Sequence, residues 1–339
     1  MLFAVVVLFA GAVVAGAVGG FTGPIFGLAT APNGDLLIAD AGVGIESIRN
    51  QRVGRTIGLP GVTDVGPIGR NSIWATTMGQ DPEADSGQAL YRVSMGKARL
   101  VVNLFDFEAT NNPDGNDPFD SNPFDVQSLG GREALVVDAG GNDLLRVTNV
   151  GDVHVLAVFP DELVSTANIK SLAGCPEPPI PEFASFCQLP EMIPAQPVPT
   201  SVAIGPDGHY YVGELKGFPG PTGASSIWKV APDASWAMCP SADCVKVFSG
   251  GFTSIIDLAF DRSGKLHVAE LDEQSWAAVE IFGTGAGGTI NSCDVATLTC
   301  AEVATGIPML TAITFGKNGS LWATRNALIP GGAEVIEIP

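Results

Sequence analysis

Six polar residues stand at matching places in a recurring phrase of the chain: Asp40, Thr77, Asp138, Glu214, Glu270 and Arg325. Each ends an apolar, β-rich run. In the four clearest copies, Gly34, Gly208, Gly264 and Gly319 lie six residues ahead of that end. Four carboxylates brought round one point suit a hard cation such as Ca2+, which takes several oxygen ligands in flexible geometry. Asp138, Glu214 and Glu270 are assigned that metal-binding role, and all six residues form the ligand-binding set. A blander account competes, in which each carboxylate caps the loop after its strand by accepting backbone N–H groups. Capping is the better account for any one of them, while the set of four favours an ion. Arg325 offers a third arrangement, as an internal counter-charge in place of a metal.

Other chemistry is thinly supported. His154, His209 and His267 map away from these strand ends, so no imidazole base serves a Ser or Cys nucleophile there. Trp276, beside the Glu270 loop, can reach a ligand. Asn111–Asp117 carries oxygen ligands at close spacing but lacks the D-x-[DN]-x-[DN]-G order of a calcium loop, so local Asx turns explain it better.

The positioning elements follow from the phrase itself. GLATAPNGDLLIAD, SVAIGPDGHYYVGE, DLAFDRSGKLHVAE and AITFGKNGSLWATR each hold two β-rich runs around an x-Gly turn. Such pairs are hairpins, because glycine accepts the positive φ of tight strand connections. Looser copies at 64–77 and 124–140 bring the number to six, and two more β-rich runs follow most copies. One hairpin cannot bury its own faces, so repeated units imply a radial array. The expectation is an all-β, six-bladed β-propeller of four-stranded antiparallel blades spanning residues 12–339 as one domain. The last copy has only one further run, Ala333–Ile338, so a strand near Ala12–Gly19 is expected to close blade six. Alternation of strands puts the x-Gly turns on one face. It puts the six polar ends on the other, with two insertions, Phe105–Asn122 and Pro160–Val198.

Net charge is −19, which repels nucleic acid and anionic membrane. The six cysteines fall into close pairs without CxxC spacing, which disfavours zinc. Fifteen pairings are open to six cysteines. Local bridges Cys175–Cys187, Cys239–Cys244 and Cys293–Cys300 are the better account, and they call for an oxidising compartment. The apolar segment 1–11 is like the core of a signal peptide but lacks its basic start, so a truncated signal, a segment that is no signal and, less well supported, a membrane anchor stay open.

Several stretches resemble the ScyD/ScyE family of secreted propellers, named for genes linked to scytonemin biosynthesis. They are FEATNNPDGNDPFDSNPFDV, VVDAGGNDLLRV, IPAQPVPTSVAIGPDGHYYVGELKGFPG and IIDLAFD, which with their spacing cover most of 23–321. Phe124 stands where the family often has Tyr, and Lys216–Gly220 only approximates the usual loop. The resemblance implies a secreted propeller and supplies no catalytic residues. Two functions are carried forward. One is an extracytoplasmic monomer that binds a small molecule, peptide or divalent cation on the carboxylate face. The other is a metal- or carboxylate-dependent enzyme, such as a lactonase-like hydrolase or a step in secondary metabolism. Loops presented on such a ring also suit a protein partner.

Overall fold

The computed structural model describes residues 17–69, 72–78 and 87–339. Among them, six four-stranded antiparallel sheets form the blades of a six-bladed propeller. Blade one runs Ile25–Thr30, Leu36–Asp40, Gly44–Arg49, Arg52–Gly58. Blade two runs Val62–Gly69, Ser72–Thr77, Ala89–Ser94, Lys97–Asn103. Blade three is Pro123–Ser128, Glu133–Asp138, Asp143–Thr148 and Val153–Val158. Blade four is Pro199–Ile204, Tyr210–Glu214, Ser225–Val230 and Cys244–Phe252, and blade five Ile255–Phe260, Leu266–Glu270, Gly288–Asp294 and Thr299–Ile307. Blade six has Ile313–Phe315, Leu321–Arg325 and Glu334–Ile338. Val18–Gly19 completes it, pairing Val18 with Val335 and Gly19 with Glu334. The expected closing strand is therefore present at its inner end; residues 1–16 lie outside the described residues.

Burial explains why second strands read as unbroken apolar runs. Leu36–Asp40, Tyr210–Glu214 and Leu266–Glu270 are buried at every position, sandwiched between neighbouring blades. Outer strands such as Arg52–Gly58 are mostly exposed and polar. The x-Gly turns rest on backbone geometry: Gly34, Gly208, Gly264 and Gly319 have φ of 91°, 81°, 84° and 90°, where a Cβ is disfavoured.

Blades are joined edgewise by side chains of the innermost strands. Thr63, Thr200 and Thr311 donate to the carbonyls of Pro123, Ile255 and Ile25 in the next blade (2.6, 2.7 and 2.7 Å). The last of these crosses the seam between blades six and one.

The first insertion begins with helix Leu104–Asn111, N-capped by Asn103 accepting from Asp106 N, and its Asn112 C-cap is left-handed. Asp114 then accepts from Asn116 N (2.9 Å), the expected Asx turn. The second insertion folds as a ribbon (Glu162–Ser165 with Met192–Ala195), helix Ala167–Ala173 and the 3-10 helix Pro181–Gln188. It reaches blades four and five, where Asn168 Nδ2 bonds Gly220 O and Ser275 Oγ. Phe183 and Phe186 pack on Phe282 there.

All three expected disulfides form. Cys293 and Cys300 sit directly opposite in one hairpin, so their Cα atoms are only 4.0 Å apart, closer than an ordinary bridge. The Cys239–Cys244 loop has a further role. Ala237–Met238 pairs in parallel with the outer strand of blade three and so ties two blades together. Cys175–Cys187 staples the second insertion alone. Replacing both with Ser is expected to speed proteolytic cleavage within 174–189 at least tenfold while the melting of the ring stays within a few degrees. A mass-mapped limited digest checks this; cleavage first in the blades would refute it.

Candidate functional site

The six strand-end residues occupy equivalent positions, and each is bonded into its own surroundings. Asp40 accepts from Thr22 N, Gly23 N and Gly42 N (2.6, 2.8 and 2.8 Å). Asp138 accepts from Ser121 Oγ (2.7 Å) and from the N–H groups of Asn122, Gly140 and Gly141 (2.6, 3.1 and 3.0 Å). Glu270 accepts from Thr253 N and from Asn291 Nδ2. Thr77 donates to Gly87 O (2.5 Å). The three carboxylates are loop caps: chain segments beside each of these strand ends have orphaned N–H groups, and the carboxylate satisfies them, while Thr77 holds its loop by donating to a carbonyl. Arg325 does not meet Asp40, Asp138, Glu214 or Glu270. It pairs with Glu334 across its own sheet (2.5 Å), because Glu334 is its antiparallel register partner. Among the described residues no group of three or more His, Cys, Asp or Glu is arranged to hold a metal ion, so Asp138, Glu214 and Glu270 are not gathered into one site.

Glu214 has a different partner. Lys216, fully buried, lies 2.9 Å from Glu214 and 2.7 Å from Glu162 of the second insertion. Lys246 also pairs with Glu162 (2.6 Å), and Trp228 Nε1 donates to Glu214 Oε1. Burial raises the Glu214 carboxyl, and the charge of Lys216 opposes the rise. Trp276 gives its indole N–H to Lys216 O (2.9 Å), so it braces this loop.

The cavity suited to a ligand is the central channel, with a volume of about 460 Å3. That lies within the range of small-molecule sites, roughly 300–1,000 Å3. At the strand-start end, Phe26 of blade one and Phe124 of blade three meet edge to face across the axis (5.9 Å). The lining continues to Thr30, Ser128, Ile204, Phe260 and Phe315 beside the x-Gly turns. Between these ends three carboxylates face the channel: Asp64, Asp125 and Asp257. One oxygen of each latches the next blade, accepting from Val126 N (3.1 Å), Val202 N (2.5 Å) or Ile313 N (2.7 Å). Asp64 and Asp125 are close enough to bear on one another's protonation. Gly27 fills the equivalent place in blade one, where a Cβ would collide with the Asp64 carboxylate. Burial raises all three carboxyls, Asp125 and Asp257 well above the ordinary range; the charge of Asp64 adds to both.

These three residues were not singled out by the strand-end pattern. Their signal is a second repeat in register with the first, an Asp following one β-forming residue: TDV at 63–65, FDV at 124–126 and IDL at 256–258.

The fold and channel define a six-bladed propeller, and solved structures agree. A virginiamycin B lyase from Staphylococcus aureus matches with a TM-score of 0.50 at 14% identity, covering 95% of this chain and 87% of that one. A gluconolactonase from Xanthomonas campestris matches with a TM-score of 0.55 at 12% identity, covering 95% and 88%. At such identities the likeness shows the fold alone. No protein-family model and no curated protein matches the chain. Among the described residues no helix is long and apolar enough to cross a membrane.

Proposed function

We propose that this is an extracytoplasmic binding propeller that takes a small polar ligand, rich in hydroxyl or amine donors, in its central channel. The carrying observation is the set of Asp64, Asp125 and Asp257 lining one cavity of about 460 Å3, with Asp64 and Asp125 bearing on one another's protonation. Neighbouring carboxyls whose ionisation burial disfavours can both donate and accept, which suits a neutral polar molecule. The three disulfides and the resemblance to the ScyD/ScyE propellers support a location in an oxidising compartment. The strand-end carboxylates serve this reading as the caps that fix the blades.

An enzymatic reading rests on the same residues, since carboxyls whose pKa burial raises are potential general acids. The gluconolactonase and lyase folds make lactones and esters the substrates to try first.

Binding of a panel of sugars, lactones and small amines by the full chain tests the proposal. Asp125→Asn keeps an acceptor for Val202 N and is expected to weaken binding about tenfold, ~1.4 kcal/mol. Ligand binding that is unchanged by Asp64→Asn, Asp125→Asn and Asp257→Asn together would move the site elsewhere. Turnover of a lactone or ester that is lost in these variants would convert the binding reading into the enzymatic one.

A further inference from the structure

We infer that the first insertion and the turn after the second strand of blade three build a buried site for a hard divalent cation, held by the carboxylates of Glu108 and Asp143. Both residues are almost fully buried, at 1% and 0% exposure. All four of their carboxyl oxygens lack a hydrogen-bond partner. Two amide oxygens from the flanking turns, Asn112 Oδ1 and Asn122 Oδ1, are buried and unpartnered as well. Six oxygens left bare in one region are costly, because a buried polar atom without a partner forfeits its hydration for nothing.

Chain geometry draws these residues together. Asn112 caps the helix that carries Glu108, its N–H bonding Glu108 O (2.8 Å). The Glu108 carboxyl lies over the glycine turn between Asp138 and Asp143: a Cβ at Gly141 would stand 2.9 Å from Glu108 Oε1. Asn122 closes the same turn from the other side, accepting from Ala139 N (2.9 Å). Asp143 is the register partner of Asp138. Gly141 thus leaves room for a carboxylate to enter.

The local charge has one sign. Asp114, Asp120 and Asp138 also bear on Glu108, and Asp114 and Asp138 on Asp143. No Lys, Arg or His forms an ion pair with any of these five among the described residues. The neighbours already have partners. Asp138 spends both oxygens on Ser121 and backbone N–H groups, and Asp114 accepts from Asn116 and Asn142. That leaves Glu108 and Asp143 as the free carboxylates. Two carboxylates with amide oxygens match the mixed, all-oxygen shell of calcium. Magnesium demands tighter octahedral geometry and keeps more of its water, which a buried site accommodates poorly. The site is separate from the channel and independent of what binds there.

The test uses the full chain, freed of metal with EGTA and exchanged into clean buffer. Titration with CaCl2 at pH 7.5 is expected to give one site per chain, with proton release that shows as a buffer-dependent heat. Calcium at a hundred times its Kd should shift the unfolding equilibrium about hundredfold, and MgCl2 should bind more weakly. Glu108→Gln and Asp143→Asn are expected to weaken calcium at least about hundredfold while leaving the metal-free protein no less stable, since each removes a buried carboxyl whose ionisation the fold disfavours. Asn122→Ala, which leaves both carboxylates in place, is expected to weaken it about tenfold. Absence of calcium-dependent heat and melting in the unsubstituted protein overturns the proposal. So does calcium affinity that is unchanged in every variant that folds.

Discussion

Lys216→Met is expected to cost about 3–5 kcal/mol of stability, the usual penalty for leaving a buried charge without its partner. Among the described residues Lys216 is the only cation within ion-pair distance of Glu214, a carboxylate with no exposure, and it also holds Glu162 of the second insertion. Removing the ammonium leaves Glu214 with a single indole donor, Trp228, and loosens the insertion from blade four. Urea unfolding of the variant checks the loss. The combination Lys216→Met with Glu214→Gln and Glu162→Gln is expected to recover more than half of it, because replacing a whole buried ion cluster costs far less than breaking it. A loss under 1 kcal/mol would mean that water reaches Glu214.

In EGTA, the protein is expected to be more stable at pH 5 than at pH 8. Burial pushes Glu108 up to about 9 and Glu270 up to about 7. Asp125, Asp143 and Asp257 are also raised well above the carboxylate range, chiefly by burial. Each holds a proton in the folded state that the unfolded chain has released, so stability falls as pH rises. The contribution is complete only below about pH 4.3 for the Glu residues and about 3.9 for the Asp residues, their unfolded values. It fades through about 7 for Glu270 and about 9 for Glu108. Asp35, Asp207, Asp261 and Asp294 run the other way, each held below the ordinary value, and weaken the fold as pH falls through the acid range. They sit near the surface, where ion pairs contribute little. Chemical unfolding at pH 5, 6.5 and 8 measures the slope, and Glu270→Gln should flatten it below pH 7. A curve that climbs to pH 8 would show the buried carboxyls ionised at no cost.

Much of the architecture was legible in the sequence because it depends on local chemistry. The x-Gly turns needed positive φ, and four glycines supply it. Cysteines a few residues apart across a hairpin had near neighbours to bond, and no more distant partner was required. The strand-end pattern also located six equivalent positions correctly. What it could not supply was the choice of partner, which is tertiary. Arg325 had Glu334 beside it on the next strand, nine residues away, and that contact outcompetes a carboxylate in another blade. Lys216 supplied the charge for Glu214 that Arg325 was expected to offer. The channel aspartates were hidden for a related reason. In Asp64, Asp125 and Asp257 a single polar residue interrupts an apolar strand, and nothing local distinguishes a residue that faces solvent from one that faces an axis shared by six blades.

Side chains of the innermost strands bond blade two to three, three to four, four to five and five to six, and Thr311 carries such a bond over the join to Ile25. The join is therefore made by the same kind of bond as those boundaries, and strands Glu334–Ile338 and Val18–Gly19 lie side by side in one sheet. A circularly permuted chain, linked through blade six and opened at one of the exposed x-Gly turns, would trace the same closed circuit with its origin moved.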